Sequence, residues 1–201
     1  KGFSILEIFI SLAIGLVLFA GVLTIFVGLK TTTSQTSSSG ALQENGRFTL
    51  SVLTDDLLRE GFWGDMAGQL TESNLTAIPV IGGQDCVGQG LNNASFPQVV
   101  GYFRSLWGMT AVNASPMNCI NDAVIGSDVI QIKRVLSNPV VGNTDATLYY
   151  LNANSNTGAI FSGVGAGAPP LVNNGRIWEY QHHVYYIRNE VQGNLTVPVL
   201  M

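Results

Sequence analysis

The first thirty positions of the chain are almost continuously hydrophobic. From Ile8 to Leu29 there is no charged side chain, and Glu7 is the only acid that accompanies this run. At about 1.5 Å rise per residue the run forms a helix roughly 33 Å long, which is enough to cross the hydrocarbon core of a bilayer. The pattern predicts a membrane-spanning helix. An ionised carboxylate at the start of this helix is costly in lipid, so it must either lie at the level of the lipid headgroups or pair with another group.

A helical period continues after the apolar run. Residues 31–40 are rich in Ser and Thr and are weak helix formers, but no proline interrupts them. The next residues return to a helical spacing, with one apolar face at Leu42, Thr49, Leu53 and Leu57. The charged residues Asp55, Asp56, Arg59 and Glu60 are expected nearer the outer side. Gly61 predicts a stop, so the expected helix runs from Phe3 to Glu60.

Beyond Gly64 the pattern changes to short apolar runs between Gly, Asn, Pro and Ser clusters, which is typical of strands and loops. In residues 128–135, Ile130 and Ile132 alternate with Gln131 and Lys133, which predicts a sheet with one solvated side. The best strand candidates, by β-branched and aromatic content, are residues 99–103, 128–135, 146–151, 182–188 and 195–201.

Composition narrows the class of protein. The 201 residues are 46% hydrophobic and 11% charged, against about 25% charged in an average soluble domain, so neutral polar residues must cover the surface. A net charge of -4 gives no basic footprint for nucleic acid. Without the apolar segment, about 170 residues remain, which is enough for one domain with a core.

Two cysteines, Cys86 and Cys119, both follow the apolar segment in what would be the exported part of the chain. A disulfide between them is expected, and it would stabilise the fold by about 3 to 4 kcal/mol in the chain-entropy model. Two buried free thiols are the alternative.

Candidate chemistry is sparse. His182 and His183 are adjacent on a predicted strand and point to opposite faces, so they cannot share one metal. Asp122, Asp128 and Asp145 lack the spacing of a calcium loop and are expected in turns. No nucleophile elbow, zinc-protease helix or phosphate-binding loop occurs in the sequence. We therefore expect neither catalysis nor a metal or other cofactor.

In each pair Tyr149-Tyr150 and Tyr185-Tyr186, alternation predicts one core ring and one exposed ring.

The residues Gly2-Phe3-Ser4-Ile5-Leu6-Glu7, directly before the apolar run, resemble the N-terminal signal of type IV pilins and pseudopilins. The resemblance implies that a prepilin peptidase cuts after Gly2 and methylates Phe3. It also implies that Glu7 pairs with the N-terminal amine of a neighbouring subunit in the filament core, which is far less costly than either buried charge alone. A simple membrane anchor with Glu7 at the headgroup level is the alternative.

A second resemblance narrows the family. Residues 42–64, which contain Gln43-Glu44-Asn45-Gly46-Arg47-Phe48 and the stop at Gly61-Phe62-Trp63-Gly64, are similar to the helix end of PilW-type minor pilins. This resemblance implies an α+β type IV pilin fold, in which a long N-terminal helix, transmembrane in its first half, packs on an antiparallel β-sheet. It implies a structural, non-enzymatic subunit that primes pilus assembly at or near the tip and supports adhesion, twitching or DNA uptake. The alternatives are a J-like pseudopilin of type II secretion, a major pilin, and a membrane-anchored periplasmic binding module.

The expected organisation follows from these resemblances. Residues 1–2 are a leader remnant, 3–30 form the transmembrane or filament-core helix, 31–63 its amphipathic continuation, and 64–201 an exported β-rich domain. The strand signal at residues 195–201 leads us to expect further sequence beyond them. The implied partners are other major and minor pilins, the prepilin peptidase and the inner-membrane assembly platform. The implied location is the inner membrane with a periplasmic C-terminal domain before assembly, and the extracellular pilus afterwards.

Overall fold

A computed structural model describes residues 4–81, 85–86, 93–98, 103–165 and 167–201. The chain divides into two compact units, Lys1–Thr54 and Asp55–Met201. One long apolar helix is followed by a mixed β-sheet, so the predicted α+β class is confirmed.

The helix α1 runs from Ile5 to Leu58 without a break. It ends close to the predicted stop, where Gly61 has a φ of 67° that favours glycine. The predicted start at Phe3 lies outside the described residues. The Ser- and Thr-rich residues 31–40 do not interrupt the helix, and Thr31 Oγ1 and Thr32 Oγ1 donate to the carbonyl oxygens of Val27 and Gly28, each at 3.0 Å.

The described residues of the second unit form eight strands: β1 Leu75–Ala77, β2 Leu106–Thr110, β3 Asp128–Pro139, β4 Tyr149–Ala153, β5 Gly158–Ser162, β6 Arg176–Tyr185, β7 Ile187–Gln192 and β8 Leu195–Leu200. Four predicted segments fall on β3, on β4, across β6 and β7, and on β8. Positions 99–102 of the fifth predicted segment lie outside the described residues. The strand pattern of the sequence does not predict β1, β2 and β5, which are short or contain glycine.

The strands form a six-stranded sheet of order β1-β5-β4-β6-β3-β2, and β7 and β8 form a separate hairpin. The prediction of an antiparallel sheet is wrong at one edge, because β1 pairs with β5 in parallel. The other pairs in both sheets are antiparallel. No tight turn joins β1 to β5, so their direction depends on the path of the chain rather than on a local signal.

Both faces of strand β3, which lies next to the edge strand β2, are covered, so the predicted solvated side is wrong. Gln131 and Lys133 are fully buried, as is Ile132 on the opposite face. Residues 93–98, which we call the covering segment, lie over the face that carries Gln131 and Lys133. Gln131 Nε2 donates to Asn93 O at 3.3 Å, and Lys133 Nζ donates to Ala94 O. An alternating pattern shows which residues share a face, but it does not show what lies above that face.

The main core lies on this same face of the sheet. Val135 of β3, Leu151 of β4 and Ile160 of β5 are fully buried there. They pack with Trp178 and Tyr180 of β6 and with Trp63, Phe96 and Phe103 from segments outside the strands. The segment directly after α1 therefore supplies part of the core.

Cys86 and Cys119 form a disulfide, with their Cα atoms 4.7 Å apart. Cys119 packs against a second buried cluster that includes Ala111, Met117 and Val129. The predicted pairing of Cys86 and Cys119 is therefore confirmed. The disulfide connects the chain near the covering segment to the edge of the sheet.

Gly64 is a position where we expect a large local effect. Its φ is 66°, and a Cβ there would lie 2.4 Å from Cε2 of Trp178, which is buried in the core. We expect Gly64→Ala to lower the free energy of unfolding by about 3 kcal/mol, because backbone strain and a clash with a fixed ring add together. Urea unfolding of the full chain in detergent, followed by tryptophan fluorescence, measures this change.

Gly68→Ala is the matched control. Gly68 also has a positive φ, 89°, but a Cβ there would have no neighbour within 4 Å. This variant should show only the backbone cost, about 1 kcal/mol. Equal losses in the two variants would show that the contact with Trp178 contributes nothing.

Candidate functional site

Glu7 lies in the first turn of α1, and its side chain is exposed. The turn is formed locally: the backbone N–H of Glu7 donates to Ser4 O at 3.0 Å, and Ser11 Oγ donates to the carbonyl oxygen of Glu7 at 2.8 Å. A negative charge is favourable here because the first turn of a helix carries a partial positive charge. Among residues 4–81 and the later described ranges, no side chain forms an ion pair with Glu7. The carboxylate is therefore open to a partner from outside.

The helix after Glu7 is apolar on all sides. It contains an 18-residue window of mean hydropathy 2.7, and none of that window is buried. Phe9 and Val17, for example, expose 67% and 73% of their surface. Within the part of the chain that the structure describes, this is the one helix long and apolar enough to cross a membrane. Exposure of such an apolar surface to water is unfavourable, so we expect lipid or other apolar helices to cover it.

The exposed apolar surface continues at Leu42 and Phe48, at 75% and 71% exposure. Both positions belong to residues 31–63, the predicted amphipathic continuation. The predicted packing of this continuation on the sheet stays a prediction.

A buried charge cluster surrounds Asp56, in the second unit. Asp56 Oδ1 accepts a bond from Arg134 Nε at 2.5 Å, and Oδ2 accepts from Tyr185 OH at 2.9 Å and lies 2.6 Å from His183 Nδ1. Asp56 and Arg134 are almost fully buried. The last turn of α1 is thereby fixed on β3 and β6. The expectation that Asp56 lies on the outer side is wrong, whereas Asp55 and Arg59 are exposed and pair at 2.8 Å.

The position of Asp56 could have been found from its spacing. It lies three residues after Leu53 and seven after Thr49, so it belongs to their face of the helix. A carboxylate on that face needs a buried cation. Arg134, inside a predicted strand, is that cation.

The cluster changes two pKa values. Burial alone would raise the pKa of Asp56, but bonds from His183, Arg134 and Tyr185 overcome this and hold it below its usual range. Burial, together with the bond to Asp56, raises the pKa of the Tyr185 hydroxyl to about 12. At neutral pH the carboxylate is ionised and the phenol keeps its proton. The cluster is thus a buried ion pair between Asp56 and Arg134, flanked by the partly exposed His183 and Tyr185.

The processing residues Gly2 and Phe3 lie outside the described residues. Cys86 and Cys119 are joined in the second unit, so neither offers a free thiol.

The two histidines point to opposite faces, as predicted. His183 contacts Asp56, whereas His182 lies under the covering segment, with Nδ1 3.0 Å from Ser95 Oγ. Asp145 forms the predicted turn by accepting a bond from the backbone N–H of Thr147 at 2.8 Å. In the described ranges no group of three His, Cys, Asp or Glu side chains could hold a metal ion.

The tyrosine pairs behave differently from each other. Tyr150 is buried, so the prediction of one core ring is confirmed for the first pair, whereas Tyr149 is half-buried against the core and is not the predicted exposed ring. Tyr185 and Tyr186 are both half-buried, so the prediction of one core ring is wrong for the second pair. Tyr185 is held instead by its bond to Asp56.

Lys133 is a charged side chain that is fully buried in the second unit. Its ammonium group donates to Ala94 O and lies 4.3 Å from the centre of the Phe103 ring. Burial lowers the pKa of Lys133 to about 7, although the negative charge of Asp85 acts against this shift.

The depressed pKa of Lys133 predicts a dependence of stability on pH. An unfolded lysine has a pKa near 10.4, so between about pH 7 and 9.5 the unfolded chain binds more protons than the folded chain. The free energy of unfolding should therefore rise with pH in this window. Lys133→Met removes this difference, and we expect urea unfolding at several pH values to show a flatter profile. Lys30→Met, at an exposed position, is the control and should keep the wild-type slope. An unchanged slope in Lys133→Met would contradict the assignment.

No protein-family model, no curated protein and no solved structure matches this chain.

Proposed function

We propose that this chain is a structural subunit of a type IV pilus, a minor pilin that primes assembly at or near the tip. The observation that carries the proposal is the exposed carboxylate of Glu7 in the first turn of a helix that contains an 18-residue apolar window with no buried residue. Such a helix is stable in lipid, and it is equally stable among other helices of the same kind. A subunit that moves from membrane to filament needs both environments.

The charge of Glu7 favours the move from the membrane into the filament. In a bundle of apolar helices an unpaired carboxylate is costly, and an ammonium group at the right height offsets much of that cost. The N-terminal amine of a neighbouring subunit, freed by cleavage after Gly2, is such a group. We therefore propose that Glu7 sets the axial position of the subunit in the filament, and that the prepilin peptidase and the inner-membrane assembly platform act on the chain before this step.

The remaining features fit an exported structural role. The second unit is closed by a disulfide, which persists in oxidising compartments such as the periplasm. In its described residues, the buried pair Asp56–Arg134 joins the last turn of α1 to β3. We propose that the helix packs on the sheet through its second half, that the globular unit is periplasmic before assembly, and that it lies on the pilus surface afterwards with other major and minor pilins.

Processing and location test the proposal together. We expect the mature chain in the membranes of its natural host to begin with N-methylated Phe3, and we expect it in sheared pili. Gly2→Ala should leave the chain uncut, because a side chain at the cleavage junction blocks the peptidase. Gly15→Ala, at a position with no neighbour within 4 Å, is the control and should be processed normally.

Mass spectrometry of the membrane fraction and of sheared filaments decides the outcome. An N-terminus at Phe3 in Gly2→Ala would overturn the cleavage assignment. A processed chain that is absent from pili but needed for secretion would transfer the assignment to a type II secretion pseudopilin. An unprocessed chain confined to the membrane would show a simple anchor.

A further inference from the structure

A small cleft opens in the second unit beside the covering segment. It has a volume of about 280 Å³ and lies between the covering segment, the start of β4 and the middle of β6. Its walls are formed mainly by the rings of Phe96, Tyr149 and Tyr180 and by the polar side chains of Ser95, Thr147 and His182. Sites for drug-sized ligands occupy roughly 300 to 1,000 Å³, so this cleft is sized for a single ring.

The aromatic wall is held in place by the core. The ring centre of Phe96 lies 5.0 Å from that of Tyr149 and 5.1 Å from that of Tyr180. Phe96 and Tyr180 are buried, and the Tyr180 hydroxyl donates to Ser95 O. Tyr149 is half-buried, so part of its surface remains open to a guest. A rigid aromatic surface of this kind favours the apolar face of a flat ring.

The hydrogen bonds around His182 determine what Ser95 can offer. Gln131 Nε2 can only donate, so His182 Nε2, 2.6 Å away, accepts and carries no proton. His182 Nδ1 then carries the proton and donates to Ser95 Oγ at 3.0 Å. Burial, helped by the positive charge of Lys133, lowers the pKa of His182 to about 3, which keeps the ring neutral. The hydroxyl of Ser95 is thereby left as a donor.

Thr147 offers the complementary group. Its hydroxyl donates to Asp145 Oδ1 at 2.7 Å, so its proton is used and its oxygen remains an acceptor. Thr147 is exposed and lies at the mouth of the cleft. One fixed donor and one fixed acceptor beside an aromatic wall match a guest that carries hydroxyl groups at the edge of an apolar face.

We propose that this cleft binds one neutral hydroxylated ring, of the size of a single pyranose unit. The ring stacks on Tyr149, one of its hydroxyl oxygens accepts from Ser95, and another hydroxyl donates to Thr147. The guest is neutral because no described residue that lines the cleft carries a charge. The inference rests on the cleft alone and does not depend on the filament role.

Saturation-transfer NMR on the full chain in dodecylphosphocholine tests the proposal, because this detergent has no sugar head group. The probes are methyl β-D-galactopyranoside, methyl α-D-glucopyranoside and myo-inositol. We expect saturation to reach the C–H protons of at least one probe. A pyranoside signal without an inositol signal indicates a glycan unit as the natural source, whereas the reverse indicates a free cyclic polyol.

Four variants locate the binding. Thr147→Val removes the acceptor at an exposed position and should weaken binding by about five- to tenfold. Tyr149→Ala should abolish the signal, while Tyr149→Phe should retain it because the ring is kept. Thr196→Val, an exposed threonine on the β7–β8 hairpin, is the matched control and should bind as wild type. The absence of transfer to all three probes would overturn the proposal, as would a signal that is the same in Thr147→Val or Tyr149→Ala as in wild type.

Discussion

Glu7→Gln is expected to lower the amount of this chain in sheared pili by more than about a hundredfold, while its total amount in the membrane stays at the wild-type level. Membrane insertion depends on the apolar run that follows Glu7, and glutamine keeps the shape of the side chain. In the proposed filament role, assembly depends on the charge of Glu7. Removing one partner of a buried ion pair leaves the other uncompensated, at a cost of about 3 to 5 kcal/mol, which corresponds to a loss of this size at equilibrium.

The size of the loss also reports the position of the subunit. A subunit at the tip has no neighbour above it, so one of its two charges is unpaired in any case and the penalty is smaller than inside the filament. Glu44→Gln is the matched control, because Glu44 is an exposed acid on the same helix. Equal filament content in Glu7→Gln and wild type would return Glu7 to the headgroup level and favour a membrane anchor.

Asp56→Ala is expected to lower the free energy of unfolding of the second unit by about 3 to 5 kcal/mol. The carboxylate accepts bonds from Arg134 and Tyr185 and contacts His183, and the side chains of Asp56 and Arg134 are only 4% and 7% exposed. Without Asp56, the guanidinium group of Arg134 remains buried and unpaired. Urea unfolding of the full chain in detergent, followed by tryptophan fluorescence, measures the loss.

Asp55→Ala is the control for this prediction. Asp55 pairs with Arg59 one turn later, but the two side chains are 59% and 45% exposed, so the expected loss is below about 1 kcal/mol. The double variant Asp56→Leu, Arg134→Met should regain much of the stability, because it removes both buried charges. Similar losses in Asp56→Ala and Asp55→Ala would contradict the assigned role of the cluster.

The same cluster predicts acid sensitivity. Because the folded pKa of Asp56 is lower than its unfolded value, the cluster stabilises the fold above the unfolded pKa of about 3.9, and this contribution is lost as the pH falls through the folded pKa. When the pH is lowered from 5 to below the folded pKa of Asp56, the free energy of unfolding should therefore fall less in Asp56→Asn than in wild type.

Much of the fold is determined by local sequence signals. The apolar run and the glycine stop set the extent of α1 to within two residues at its end, because hydrophobic period and backbone freedom act over a few residues. Strands β3 and β8 follow from β-branched content and alternation. The disulfide follows from the presence of two cysteines on the same side of the apolar run.

Tertiary structure decided what covers each surface. Lys133 and Gln131 are buried because the covering segment, distant in sequence, lies over their face of β3. The direction of β1 beside β5 and the cleft between Ser95, Tyr149 and His182 depend on contacts between segments more than thirty residues apart. Local propensity extends over a few neighbours along the chain, whereas burial is set by whichever distant segment packs above. The sequence by itself therefore determined the helix that carries Glu7 and strands such as β3 and β8, and only the three-dimensional packing determined the partner of Asp56 and the walls of the cleft.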